Sequence, residues 1–294
     1  MSLPFYIVDV FAEQKYAGNQ LAVFRLTELL TTEQMQRIAK EVNYSETTFI
    51  LSDITENGGY SVRIFTPVQE LPFAGHPTLG TAFVLQHEVI QKTVLSLILN
   101  LQIGQVPVVL HYTNQKVDVL WMNQPSPVFG QQFKPDTIAP ILSLEPNQID
   151  DRFAIEEVST GLPFIIVPLK TQSAVKQAKI NRDRLFALIE TTQAKAILIF
   201  CSEPENPLNQ LKVRVFVDAL GVPEDPATGS ANGCLAAYLV QHEYFGTSEI
   251  DIRVEQGAEI GRPSLLLLKA QKTSEEIRVS IGGSVILVAK GEFV

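Results

Sequence analysis

Apolar residues recur along this chain in short β-branched and aromatic runs, interrupted twice by runs with the spacing of a buried helix. Strands are predicted at residues 5–11 and 21–26, around the turn Ala17-Gly18-Asn19-Gln20. Thr31 with Gln34 three residues on has the pattern of a capping box. Met35, Ile38, Ala39 and Val42 then follow at helical spacing and should face a core. Further strands are predicted at 47–51 and 60–66. Pro67 and Pro72 bracket a loop, and Gly75 leads into an apolar helix over 79–86. Three more strands follow at 93–99, 106–112 and 117–122 before Gln124-Pro125-Ser126-Pro127 breaks the pattern as the candidate linker.

Beyond the linker, short helices are predicted near 137–142 and 183–189, with strands at 153–159, 164–169, 196–201 and 212–217. The small-residue turn Asp225-Pro226-Ala227-Thr228-Gly229-Ser230-Ala231-Asn232-Gly233 runs into a second apolar helix, followed by strands at 250–255, 264–270, 276–281 and 284–289. The two halves repeat one order of features. Val62-Arg63-Ile64-Phe65 matches Val213-Arg214-Val215-Phe216, and each leads through a Pro-containing loop to a glycine and an apolar helix. Both helices run out at the same tripeptide, Gln86-His87-Glu88 and Gln241-His242-Glu243. The pattern predicts a duplicated α+β protein with domains at 1–124 and 125–283. A last strand near 284–294 is expected to cross back to the first domain.

Composition narrows the function classes. A chain of 294 residues, 46% hydrophobic and 19% charged, is long enough for two cored domains. The net charge of −9 argues against nucleic acid, and no apolar run is long enough to predict a membrane span. The opening Met1-Ser2-Leu3-Pro4 lacks a basic region followed by an apolar core, so no secretory leader is expected. Two cysteines, Cys201 and Cys234, cannot build a disulfide framework or a four-ligand zinc site, which fits a reducing, cytoplasmic setting.

Candidate chemistry concentrates at the two helix starts, where unpaired backbone amides attract anions. At the second, Asp225 can accept a proton, and Ser230 lies where the amides around Gly229 point. At the first, His76 sits between Gly75 and Pro77. It is expected to exchange a proton near neutral pH, and the glycine permits close approach of a ligand. Taken singly, each has a structural reading as well: His76 as a helix cap, Asp225 before Pro226 as a turn initiator, Ser230 as a first-turn residue. Glu46 stands between an amphipathic helix and a hydrophobic strand. A solvated carboxylate is ordinary there, whereas a desolvated one could trade protons near pH 7. No Gly-x-Ser-x-Gly elbow, metal-spaced histidine pair or nucleotide-binding glycine motif occurs, so no metal or cofactor is predicted.

The chain resembles the phenazine-biosynthesis PhzF-like family of the diaminopimelate-epimerase-like superfamily. The likeness rests on Ala17-Gly18-Asn19, Ser45-Glu46-Thr47-Thr48-Phe49, the run from Arg63 to Gly80 with Glu70-Leu71-Pro72-Phe73-Ala74-Gly75-His76-Pro77-Thr78-Leu79-Gly80 intact, Asp225 to Gly233, and Gln256-Gly257 with Gly261-Arg262-Pro263-Ser264. It implies two pseudo-symmetric domains, each a β-barrel-like sheet around a central helix, with an active site in the cleft between them. It also implies a cofactor-independent isomerase that shifts a double bond within a small carboxylic acid, and a homodimer. The family's catalytic glutamate matches Glu46, its site histidine His76, and its aspartate and serine Asp225 and Ser230. Gly75 and Gly229 would supply substrate-binding amides. Relatives that racemise amino acids use two facing thiols at positions corresponding to His76 and Ser230, so two-thiol racemisation is not expected. Gln20 stands where many members carry proline. The competing expectation is a non-catalytic member that keeps the cleft for a small anion or a protein partner.

Overall fold

The protein, seen here in a computed structural model, is described over residues 3–294; Met1 and Ser2 of the opening segment lie outside the described residues. The chain divides into two compact units, Met1–Asn123 with Gly282–Val294, and Gln124–Ile281.

The first unit begins with strands β1 (Leu3–Val10) and β2 (Asn19–Arg25), followed by helix α1 (Thr32–Val42). Strands β3 (Glu46–Ile50), β4 (Tyr60–Phe65) and β5 (Glu70–Leu71) lead to helix α2 (Gly75–Val84). Strands β6 (Ser96–Leu101), β7 (Gly104–Thr113) and β8 (Lys116–Asn123) follow. β1 pairs antiparallel with β2 and with the C-terminal strand Val285–Phe293, which is how the chain's end joins this unit. β2 runs parallel to β3, β3 antiparallel to β4, β4 parallel to β6, and β6 antiparallel to β7.

Strands from all parts of this sheet, including the C-terminal one, pack on α2, and every residue of that helix is buried. A helix wrapped on all sides needs apolar or small residues all round, and α2 has them. Gly80 shows how close the wrapping is. A Cβ there would fall 2.6 Å from Leu21 Cδ2 and 2.9 Å from Val10 Cγ2. α1 lies on the outside, its Met35 and Ala39 packed with Phe24, Phe49 and Phe65. Its start is a capping box: Gln34 N donates to Thr31 Oγ1, and Thr31 N to Gln34 Oε1.

The second unit repeats the connectivity. It contains β9 (Val128–Phe133), the short helix α3 (Pro135–Ile138), β10 (Ile155–Ser159), β11 (Pro163–Pro168), and helices α4 (Gln172–Gln177) and α5 (Arg182–Ile189). Strands β12 (Ile197–Cys201), β13 (Leu211–Val217) and β14 (Val222–Asp225) precede helix α6 (Gly229–Gln241), and β15 (Glu249–Gln256) and β16 (Ser264–Lys272) follow it. β10 pairs antiparallel with β11, β11 parallel with β12, β12 antiparallel with β13, β13 parallel with β15, and β15 antiparallel with β16. That is the order of β1, β2, β3, β4, β6 and β7, pair for pair. α6 is the central helix here, packed on β10, β11, β15 and β16. A separate core under α3, α4 and α5 gathers Ile138, Leu142, Val175 and Leu185.

Two differences from the sequence reading have physical causes. The first central helix starts at Gly75 rather than at residue 79, because a helix buried all round has no polar face to mark its first turn. The strand β9 and the helix α4 lie in stretches whose exposed residues mask any apolar period.

Candidate active site

In the first unit the strand β3 opens with Glu46, opposite Leu21 of the parallel strand β2. Residues two apart on a strand share a face, so Glu46 and Thr48 point the same way. Thr48 Oγ1 lies 2.8 Å from Thr81 Oγ1 of α2, a buried hydroxyl pair that ties the strand of Glu46 to the helix of His76. The tie brings Glu46 Oε2 to 3.4 Å from His76 Nε2.

His76 is buried, and its Nε2 makes no hydrogen bond. The ring's one backbone bond goes to Gln20, and it raises the imidazole's basicity, as a carbonyl acceptor does. It therefore belongs to the Nδ1 side: Nδ1–H donates to the Gln20 carbonyl, and Nε2 presents a lone pair to Glu46. Burial outweighs that bond and pushes the His76 pKa down to about 3. This corrects the expectation of an imidazole titrating near neutral pH; in the resting protein His76 is neutral. Glu46 Oε2 and His76 Nε2 thus face each other at the first helix start.

The helix start itself carries no side-chain cap. Ala74 is the N-cap residue, and the first intrahelical bond is Thr78 N to Ala74 O at 3.4 Å. As first-turn residues, Gly75 and His76 have amides without intrahelical acceptors, and Pro77, which has no N–H, adds none. Behind this loop, Arg63 on β4 makes a two-pronged contact with Glu70 on β5 and lies over the Phe65 ring.

The second unit builds the corresponding loop differently. Asp225 ends β14, paired across from Val215, and is buried together with Ser230 and Asn232. Arg214 on β13 grips Glu224 with two hydrogen bonds and lies over Phe216, reproducing the Arg63–Glu70–Phe65 arrangement. It also donates to the carbonyls of Val175 and Ala178. Thr228 is the N-cap of α6, again without a side-chain cap, so the amides of Gly229, Ser230 and Ala231 have no intrahelical acceptor.

Around Asp225 the polar groups are wired together. Thr228 Oγ1 donates to Asp225 Oδ2 at 2.5 Å, and Gln256 Nε2 donates to Asp225 O at 2.8 Å and to Thr228 Oγ1 at 3.0 Å. Gln256 Oε1 accepts from Thr228 N and Asn232 Nδ2. Sequence reasoning placed Glu46, His76, Gly75, Asp225, Gly229 and Ser230 as site residues. Glu46 and His76 do meet, and Asp225, Gly229 and Ser230 share one turn. It missed the connecting roles of Thr228, Asn232 and Gln256; the only signal was the Gln256-Gly257 pair, which had no assigned task.

Cys201 and Cys234 are free and buried, and burial pushes their thiols up to about 11 and about 12, far from the thiolate needed for nucleophilic or proton-transfer work. Among the described residues no group of three or more His, Cys, Asp or Glu could hold a metal ion, and no helix is long and apolar enough to cross a membrane.

A model of the phenazine biosynthesis-like proteins matches residues 8–291, nearly the whole chain. The chain belongs to that family. It is 34% identical over 295 residues to the trans-2,3-dihydro-3-hydroxyanthranilate isomerase of Pseudomonas aeruginosa, covering 98% of each chain. The solved Bacillus anthracis protein of the PhzF family superposes with a TM-score of 0.90 at 28% identity, over 100% of this chain and 99% of that one. A hydroxyproline epimerase from Agrobacterium vitis, at 12% identity, shares the fold alone, with a TM-score of 0.64 over 99% of this chain and 92% of that one. The phenazine-type chain therefore has the mixed α+β fold common to PhzF proteins and proline-racemase-like epimerases, and its named relatives are isomerases.

Proposed function

We propose that this chain is a cofactor-independent isomerase that moves a proton within a small carboxylic acid and so shifts a double bond. Glu46 takes the proton from a substrate carbon and returns it to another, so that the reaction balances without any other reactant. His76 and Asp225 hold substrate polar groups and assist the relay. Ser230 and the amides around Gly75 and Gly229 hold the substrate carboxylate, a task suited to uncapped helix starts.

The observation that carries this reading is the Glu46–His76 contact, with buried His76 Nε2 3.4 Å from Oε2 of the half-buried Glu46 and Nε2 making no hydrogen bond. A carboxylate kept only for ligand binding has no need of such a neighbour. Support also comes from relatives named for trans-2,3-dihydro-3-hydroxyanthranilate, which makes that compound the first candidate substrate.

The test is incubation of that compound, and of other small unsaturated or hydroxylated carboxylates, with the protein in D2O. Once Glu46 exchanges the captured proton with solvent, deuterium should enter the carbon that receives it. Tight binding of a carboxylate without carbon exchange would instead make the chain a binding member of the family.

A further inference from the structure

Thr228 occupies a helix N-cap, where a threonine hydroxyl ordinarily accepts an amide N–H of the first turn. Thr31 and Thr171, at the N-caps of α1 and α4, do this. Thr228 does not; its hydroxyl is turned away from α6 and donates to Asp225 Oδ2. The reason lies in Gln256, which is buried behind it. A primary amide has two N–H donors and two oxygen lone pairs. All four of Gln256's are used inside this one turn: Nε2 donates to Asp225 O and Thr228 Oγ1, and Oε1 accepts from Thr228 N and Asn232 Nδ2. Flipping the amide would set donor against donor and acceptor against acceptor, so one orientation is imposed. Because Thr228 Oγ1 already receives an N–H from Gln256, its own hydrogen is directed at Asp225.

The backbone secures the amide in turn. Gly257 has φ +81°, and a Cβ there would fall 2.4 Å from the carbonyl oxygens of Pro226 and Arg262, so only glycine lets this segment lie against the Asp225-Pro226 turn. Two residues on, Glu259 pairs at 2.7 Å with Lys212, whose side chain is buried in β13. The Gln256–Glu259 segment thus closes on the turn from behind.

We propose that Thr228 and Gln256 are positioning residues for Asp225: the directed chain from Gln256 Nε2–H to Thr228 Oγ1–H to Asp225 Oδ2 fixes the plane of the carboxylate and commits Oδ2 as an acceptor while substrate is turned over. The proposal rests on the role given to Asp225 above, and it adds the two side chains that hold Asp225 to that role.

The first readout needs no substrate. In NMR spectra of the full-length protein the Thr228 hydroxyl proton should appear as a slowly exchanging resonance. Gln256→Met, close in shape but without the amide, should speed its exchange with solvent at least about tenfold. Gln256→Glu, which cannot donate when ionised, should do the same and serves if the methionine variant does not fold. Unchanged exchange in a folded variant overturns the proposal.

The second readout is turnover of the candidate compound above in D2O. Thr228→Val should lower kcat about tenfold with KM within about twofold, and should move the acid limb of the pH–rate profile to higher pH, since a donor to the charged carboxylate has been lost. Thr228→Ser should restore both. Equal losses in the serine and valine variants, or a change confined to KM, would overturn the proposal. If the wild-type protein turns over no candidate, it is the function above that fails, and hydroxyl exchange still decides the positioning.

Discussion

The helix starts at Gly75 and Gly229 are built to one plan, yet their polar groups are satisfied to very different degrees. Both follow a strand bearing an Arg-x-Phe triplet, both have the arginine clamped on a glutamate, and neither has a side-chain cap. At the first, His76 is neutral and its Nε2 makes no hydrogen bond, facing Glu46 across 3.4 Å. At the second, the Thr228 hydroxyl and the Gln256 amide behind Asp225 are saturated, while Asn232 Oδ1 and Glu259 Oε2 nearby are buried without a hydrogen bond. A group that must give up and take back a proton gains from loose, incomplete bonding. A group that must hold a polar substrate still gains from the opposite. The two units thus share one scaffold and differ in how completely the polar groups at their central helix starts are bonded.

The sharpest way to break this contrast is Glu46→Gln. It should lower turnover by ~10²–10⁴-fold, measured as deuterium entering carbon, while the Kd for a bound carboxylate changes little. Retained turnover would remove Glu46 from the chemistry.

The arginine clamps come next. Arg214 and Glu224 are 9% and 8% exposed, against 25% and 17% for Arg63 and Glu70. Arg214→Met strands a buried carboxylate and should cost about 3–5 kcal/mol in urea unfolding. Arg63→Met, whose partner keeps access to water, should cost about 1 kcal/mol. Equal losses would mean that the two clamps are energetically alike despite their burial.

A further contrast lies in pH dependence. The folded state holds His76 neutral down to about 3, whereas the unfolded chain takes up a proton below an ordinary histidine pKa of 6.5. The unfolded state therefore binds more protons between those values. The associated stability is complete above about pH 6.5 and falls as the pH is lowered toward 3. Between pH 6.5 and 4.5 the loss should be about 2 kcal/mol, and His76→Gln should flatten that part of the curve. An unchanged slope in the variant would show that other groups carry it.

How much of this was legible in the sequence depended on range. The α1 cap was readable because Thr31 and Gln34 bond within one turn of chain. The two Arg-x-Phe triplets were readable as a repeat, but their glutamate partners were not, because β5 and β14 are too short to show a strand period. Glu46 and His76 could be named as candidates from residue type and from family likeness. That they touch depends on the parallel register of β2 with β3 and on the Thr48–Thr81 contact, both set by tertiary packing. Burial of His76 by surrounding strands also decided its protonation, and no local pattern encodes that. Gln256 was the hardest to read, since its partners lie at Asp225, Thr228 and Asn232, a full helix away along the chain.

The C-terminal strand Val285–Phe293 pairs along β1 from Leu3↔Phe293 to Val10↔Val285. During synthesis, the second unit, a continuous stretch from Gln124 to Ile281, leaves the ribosome whole while the first still lacks a strand beside β1. The half of the molecule that begins first is therefore completed last. Until then α2, apolar on every side, waits in an open sheet, and the emerging chain has reason to finish quickly or to be shielded by a chaperone.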